Sequence, residues 1–217
     1  MTKISIVTPT YNEEQNIKIL CEDIKKEFEK IDLEYEHIII DNASTDNTIK
    51  ILEEICSKDK KVKVIVNSKN YGHVRSPFYG LLQTNSDATI LMASDFQDPI
   101  NLIPKYIEEW KKGKKIVLGQ KTSSEENKVK YSLRNIFYNF LNKISDFELP
   151  NNTTGAGIFD KSVIEKLKKI NDPYPYFRGL IAELGEDITT IEFKQPLRKS
   201  GTTKNNIFTL YDIGMLG

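Results

Sequence analysis

Histidine, cysteine and tryptophan are scarce in this 217-residue chain, with two, two and one respectively. His37 lies inside a predicted strand, so His73 alone cannot supply the ligand set of a zinc hydrolase. Cys21 and Cys56 both fall on the apolar faces of predicted helices and read as buried free thiols in a reducing cytosol rather than as a disulfide. The phosphate cradle G-x-x-x-x-G-K-[ST] is missing, and the first strand runs into Thr8-Pro9-Thr10-Tyr11-Asn12-Glu13 instead of G-x-G-x-x-G. Those gaps argue against a P-loop enzyme and against a dinucleotide-dependent dehydrogenase. No G-x-S-x-G elbow is found either. Net charge is absent too: 31 basic residues balance 31 acidic ones, so nothing in the charge calls for nucleic acid. No run approaches the ~20 apolar residues that span a bilayer, and no signal peptide precedes the first strand, so the expectation is a chain soluble as given. Repeats, low-complexity segments and a clear interdomain linker are missing as well.

What is present is organised around Ala88-Thr89-Ile90-Leu91-Met92-Ala93-Ser94-Asp95-Phe96-Gln97-Asp98-Pro99. The apolar run Ala88–Ser94 reads as a strand buried on both faces, and it delivers Asp95, Gln97 and Asp98 before Pro99. Carboxylates at the carboxyl end of a buried parallel strand stand where open α/β sheets bind ligands. Hard oxygens of this kind suit Mg²⁺ or Mn²⁺, ions that commonly hold a diphosphate. The plainer alternative is a capped turn, with Asp95 or Asp98 bonding backbone N–H groups.

The length suits one domain with a sizeable core. Lys3–Val7, His37–Ile40 and Val62–Val66 read as strands, and Ile116–Gly119 and Ile188–Phe193 as later ones. Ile17, Leu20, Ile24, Phe28 and Ile31 mark one amphipathic helix, while Ile49, Leu52, Ile55 and Cys56 mark the next, capped by Ser44, Thr45 or Asp46. Phe78, Leu81 and Leu82 belong to a third helix, and Leu102 to Trp110 to a fourth. Val129 to Ile144 carries a strong helical stripe, Thr153–Gly157 reads as a turn, and a helix runs through Val163, Ile164 and Leu167. Strand and helix alternating at about thirty residues predict a mostly parallel sheet. The loops 8–12, 41–46, 70–75 and 95–98 then face one another at one rim. Basic stretches lie at Lys111–Lys115 and Lys194–Lys204, and the apolar end Ile207–Gly217 suggests a truncation or a membrane-proximal end.

Four stretches in this order, Ile6–Glu14, Ile40–Thr48, Asn70–Gly72 and Ser94–Pro99, resemble the signature of glycosyltransferase family 2. Within that family the chain is most similar to bacterial polyprenyl-phosphate glycosyltransferases, relatives of dolichyl-phosphate mannose synthase. The resemblance extends through Gly155–Lys161 and Arg198–Lys204 and so covers nearly the whole chain. It implies an α/β GT-A (Rossmann-like) fold, a mostly parallel sheet flanked by helices in one domain. Residues 1–120 would form the nucleotide-sugar half and 121–217 the acceptor half, ending in a membrane-proximal helix.

The same resemblance implies an inverting, metal-dependent sugar transfer from a UDP-, GDP- or dTDP-sugar to a lipid phosphate or glycan precursor, at the inner face of the cell membrane. Pro9, Tyr11 and Glu13 match the first nucleotide loop, and Asp41 matches the carboxylate that reads the base. Asn70, Gly72, Ser94 and Lys204 join the expected donor contacts. Asp95 and Gln97 match the metal site for Mg²⁺ or Mn²⁺; Asp95, Asp98 and Arg198 are the expected catalytic groups. One departure stands out: the first acid of the family's D-x-D is Ala93 here. Arg178, Arg198 and Lys204 are candidates for phosphate contacts, each otherwise a solvated charge. With a lipid phosphate as acceptor little general-base help is needed; a sugar hydroxyl would require a base, Asp98 or Glu183. His73 and Arg75 are either donor contacts or solvated loop residues. Two other readings remain, a non-catalytic nucleotide-sugar binder, prompted by Ala93, and a sugar nucleotidyltransferase. The latter calls for a Gly-, Arg- and Lys-bearing first loop, and Thr8–Glu14 has none.

Overall fold

The computed structural model describes residues 2–123 and 152–196. The expected stripe of Val129–Ile144, the residues Arg198 and Lys204 and the apolar end all lie outside these. Seven strands form one sheet in the order β3-β2-β1-β4-β6-β5-β7. They are β1 (Lys3–Thr10), β2 (Glu34–Asp41), β3 (Val62–Val66), β4 (Ala88–Leu91), β5 (Ile116–Ser123), β6 (Thr153–Asp160) and β7 (Ile188–Lys194). The described helices are α1 (Ile17–Phe28), α2 (Thr48–Lys58), α3 (Gly72–Leu82), α4 (Leu102–Lys111), α5 (Lys161–Leu167) and α6 (Phe177–Glu183).

β1 pairs in parallel with β2 on one side and β4 on the other, and β2 pairs in parallel with β3. Because successive side chains of a strand point to opposite faces, the sheet separates two cores. Ile4, Ile6, Ile39 and Ile90 pack against Leu20 and Ile24 of α1, Leu52 of α2 and Ile103 and Ile107 of α4. Val7, Ile38 and Leu91 pack on the other face with Phe78 and Leu81 of α3 and Val163, Ile164 and Leu167 of α5. Ile4, Ile6, Ile24, Ile39, Leu52 and Ile90 have no exposed surface. Each contributes about 1.5–3 kcal/mol of transfer free energy. Both cysteines are free; Cys21 is buried, and burial pushes its thiol up to about 12.

Three expectations need correction. Thr153–Gly157 is the first part of β6 rather than a turn, antiparallel to both β4 and β5. Its glycines misled the sequence reading: at Gly157 a Cβ would run into the Val117 carbonyl of the adjoining strand, so the residue is small because two backbones approach closely. The run Ala88–Ser94 pairs as a strand only to Leu91, although the Met92 N–H still donates to the Val7 carbonyl at 3.1 Å. Ile31 lies beyond the end of α1, where it still packs against the core. The N-cap of α2 is Asn47, which makes no side-chain cap bond, and Asp46 before it accepts from the Thr48 N–H at 3.0 Å and from its hydroxyl at 2.6 Å.

Glu36 on β2 is buried, and Lys3, Lys63 and Ser5 donate to it at 2.8, 2.7 and 2.7 Å. Burial alone would raise this carboxyl; the three donors outweigh it and hold the group down to about 2. A carboxyl depressed on folding stabilises the chain above its unfolded pKa near 4.5 and loses that contribution as pH falls through about 2. Glu36→Gln is therefore expected to lower unfolding free energy at pH 7 by on the order of 3 kcal/mol. Urea titrations should show the difference from the parent chain shrinking between pH 4.5 and pH 2.

Candidate active site

Parallel pairing on both sides of β1 sends the carboxyl ends of β1, β2, β3 and β4 to one edge. Thr10 pairs with Asp41, and Val7 pairs with Leu91, four residues before Asp95. Asp41 and Asp95 thus belong to the same rim, with one strand between their own. β2 and β4 are then about 10 Å apart, two strand spacings. Every loop at that rim contains a residue in the left-handed region: Asn12 (φ 55°), Ala43 (φ 62°), Gly72 (φ 83°) and Phe96 (φ 61°). Three of the four are not glycine, and such strain persists only where surrounding contacts enforce it. For Phe96 the anchor is its ring, buried in the core shared with α1 and α4.

The first two loops are stitched together. Asn12 receives the Thr45 N–H at 2.7 Å and donates its own N–H to Ser44 Oγ at 2.8 Å. The Glu13 N–H donates to Thr48 Oγ1 at 2.9 Å, and Glu14 accepts from Asn47 at 3.0 and 2.8 Å. Glu13 Oε2 itself accepts from Asn16 at 2.6 Å at the start of α1. Asp41 has no exposed surface; its carboxylate accepts the Ser44 N–H at 2.8 Å and the Ser44 hydroxyl at 2.5 Å. Asp41 therefore shapes the turn after β2 instead of projecting from it.

Asn42, which the sequence reading passed over, ties in the third loop. Its carboxamide donates to Asn70 Oδ1 at 2.8 Å and to the Gly72 carbonyl at 3.2 Å. Its oxygen accepts from Asn67 at 3.1 Å and from the Tyr71 N–H at 2.9 Å. Asn70 Oδ1 also accepts the Gly72 N–H at 2.8 Å, so Asn70 and Gly72 are brought to the rim as parts of this frame.

At the end of β4, Ser94 Oγ donates to the Pro9 carbonyl at 3.1 Å, which joins the fourth loop to the first. Tyr11, Pro9 and Gln97 are half-buried here. Asp95 and Asp98 are both buried; Asp95 Oδ1 accepts the Gln97 N–H at 3.1 Å, and Asp98 Oδ2 accepts the Ala93 N–H at 3.3 Å. Asp98 thus rests against the backbone of the position where the family's first acid would stand. Burial raises the Asp98 carboxyl above its ordinary range, and the Asp95 carboxylate adds to the rise. The Ala93 N–H, the Lys121 ammonium and the Thr154 hydroxyl work in the opposite direction.

Lys121 and Thr154 were also missed from sequence. They reach the rim because β6 enters antiparallel beside β4, placing its first residues there, and β5 ends beside them with Gln120 opposite Thr153. The only sequence signal was a run of polar residues after Gly119. Arg178 of α6 was a candidate, and it stands at this end: Nη2 donates to the Thr154 carbonyl at 3.3 Å, beside Gly155. Glu183 is exposed at the end of the same helix.

Two buried carboxylates with Gln97 between them make a hard-oxygen donor set that fits Mg²⁺ or Mn²⁺. Among the described residues no three of His, Cys, Asp and Glu gather into a complete cluster. The set suits an ion that takes one or two carboxylates and completes its shell with phosphate oxygens. Asp98→Asn removes one of two like charges from a buried place. It is expected to raise the melting midpoint of the ligand-free chain at pH 8 by about 2–4 °C, near 1 kcal/mol. Thermal melts should show the gain at pH 8 exceeding that at pH 5, since a carboxyl raised on folding is penalised only where it must ionise.

Known proteins place this geometry. The sequence model for "Glycosyl transferase family 2" matches residues 5–168. Over 214 residues the chain is 30% identical to "Uncharacterized glycosyltransferase YkcC" of Bacillus subtilis (strain 168), covering 98% of this chain and 66% of that protein. It is 30% identical over 217 residues to "Bactoprenol glucosyl transferase" of Shigella phage SfX, covering 99% of this chain and 71% of that one. The chain thus spans about two thirds of the length of these relatives. Its fold superposes on glucosyl-3-phosphoglycerate synthase from Mycobacterium tuberculosis, solved with Mn²⁺, UDP and glucosyl-3-phosphoglycerate. The TM-score is 0.64 at 17% identity, over 99% of this chain and 76% of that one. The sheet, its rim and the ordered motifs agree with these matches: the chain belongs to glycosyltransferase family 2 and has the GT-A fold.

Proposed function

We propose that this chain transfers a sugar from a nucleotide-sugar donor to a polyprenyl phosphate, with inversion at the anomeric carbon and with Mg²⁺ or Mn²⁺. The observation that carries the reading is the burial of Asp95 and Asp98 together at the rim end of β4. Like charges in one buried place are unfavourable until a cation joins them. Asp95 and Gln97 would hold that ion, with Asp98 beside them in the space left by Ala93. When bound, the ion supplies neutralisation of the donor diphosphate and of the charge that grows on the leaving nucleotide.

The remaining roles fall to the rim loops. Pro9, Tyr11 and Glu13 line the donor side, Asp41 fixes the turn that meets the base, and Asn70, Gly72 and Ser94 complete that wall. An acceptor phosphate oxygen is already anionic, so it attacks the anomeric carbon without a general base. The bond from that carbon to the diphosphate breaks on the opposite face, and its electron pair leaves with the nucleotide. Cationic groups matter more on the acceptor side: Lys121 and Arg178 among the described residues, with Arg198 and Lys204 as candidates to hold the lipid phosphate or the donor diphosphate. Residues 1–120 serve the donor and 121–217 the acceptor. A relative named bactoprenol glucosyl transferase supports a lipid acceptor. Among the described residues no helix is long and apolar enough to cross a membrane, and the proposed place of action is the inner membrane surface.

Calorimetric titration of UDP, GDP and dTDP, with and without Mn²⁺, tests this reading. One nucleotide should bind at least tenfold more tightly with the metal. Asp95→Ala should abolish metal-dependent transfer of labelled sugar to polyprenyl phosphate while the chain remains folded by circular dichroism; undiminished transfer would remove Asp95 from the site. Asp41→Ala should weaken nucleotide binding at least tenfold, about 1.4 kcal/mol. Ala93→Asp should tighten Mn²⁺ binding. Nucleotide binding indifferent to metal would favour a non-catalytic binder, the reading Ala93 prompts, and pyrophosphate release from a nucleoside triphosphate would favour a nucleotidyltransferase.

A further inference from the structure

Beside the rim, the outward face of α3 has an unusual surface. Arg75 and Tyr79 are four residues apart in α3 and so share one face of the helix, and Tyr71 immediately precedes its first residue. Tyr71 is 39% and Tyr79 48% exposed. Tyr174, from the segment before α6, is 54% exposed and lies flat under Arg75, whose guanidinium carbon is 3.6 Å from the ring centre. Lys69 stands over the Tyr71 ring at 5.3 Å. Of the five large apolar or aromatic side chains most exposed in the described residues, Ile19, Val66, Tyr71, Tyr79 and Tyr174, three are in this one patch.

Lys69 and Arg75 give the patch two cationic groups. Between Asp59 and Asp87 the sequence has no acidic residue, although acids are as frequent as bases in the chain as a whole. Of the basic residues in that interval, Lys69 and Arg75 stand at the patch, whereas Lys61 lies over Tyr35 and Lys63 pairs with Glu36 toward the amino ends of β2 and β3. The nearest carboxylate in sequence to Tyr174 is Asp172, which accepts the Tyr174 N–H at 2.8 Å. Tyrosine presents an apolar ring with a polar tip, the chemistry favoured at a membrane–water boundary. Lysine and arginine among such rings attract anionic headgroups, by about 1 kcal/mol each near the surface.

We infer that Arg75 and Tyr79 on α3, with Lys69, Tyr71 and Tyr174 beside them, form a docking surface for an anionic lipid bilayer. Exposed tyrosine rings interleaved with Lys69 and Arg75 match an anionic lipid surface. Tyr71 stands between Asn70 and Gly72 of the third rim loop, so a bilayer seated there lies beside the mouth of the site. Tyr79 and Tyr174 take no part in the proposed donor contacts, so a test made on them does not depend on the proposed transfer.

The full chain is mixed with vesicles of phosphatidylcholine containing 30% phosphatidylglycerol, at low and high salt, and sedimented. Binding is expected, weakening with salt and absent from pure phosphatidylcholine. The double variant Tyr79→Ser/Tyr174→Ser should bind the anionic vesicles at least fivefold more weakly, with its melting curve and UDP affinity unchanged. Undiminished vesicle binding by that variant overturns the inference. A second measurement isolates α3 from other lipid contacts. In Tyr79→Trp the added tryptophan emission should be quenched by brominated phosphatidylglycerol; emission that remains unquenched in bound chain overturns it. A concentration-dependent dimer of the parent chain, seen by sedimentation velocity and lost in the double variant, would assign the face to a second copy and also overturn the inference.

Discussion

The parallel ladders that β1 forms with β2 and β4 set the rest of the structure. Parallel neighbours end on the same edge, so each loop after them starts from one line of backbone. What the loops do there follows from saturation of their polar groups. Asn12, Ser44, Thr45 and Thr48 bind one loop to the next, and Asn42 binds the third. The left-handed residues Asn12, Ala43 and Phe96 are tolerated because these bonds, and the buried ring of Phe96, leave the chain no easier path.

Against that rigid frame the pair Asp95 and Asp98 is the unstable element. Hydrogen bonds from Gln97 and Ala93 hold the carboxylates in place, yet burial and mutual repulsion raise the Asp98 carboxyl. A scaffold that keeps such groups together without a complete ligand cluster among the described residues is suited to a cation that arrives with its own anionic partner. Lys121 and Thr154 moderate the repulsion from the far side of the same edge.

The first half of the chain was legible in the sequence because its signals are local and periodic. Ile17, Leu20, Ile24 and Phe28 mark one face of α1, and the apolar runs of β1 to β4 alternate with helices at regular intervals. The candidate residues that sequence supplied, Asp41, Asp95 and Asp98 among them, lie at or just beyond the ends of those runs. Asn42 was passed over because its importance is in four contacts with residues 25 to 30 positions away, which no spacing rule reveals. Lys121 and Thr154 depend on β6 running antiparallel, and Thr153–Gly157 concealed that strand behind turn-forming glycines.

The placement of β6 between β4 and β5 has a consequence for how the chain can be divided. β5 borders β6 and β7 and has no ladder with the first four strands. A fragment stopping at residue 120 would leave Ala88–Leu91, apolar and buried in the whole protein, as a bare strand edge open to any passing backbone. A cut at that point therefore runs through one unit of folding: severing it invites aggregation where a smaller binding module was wanted.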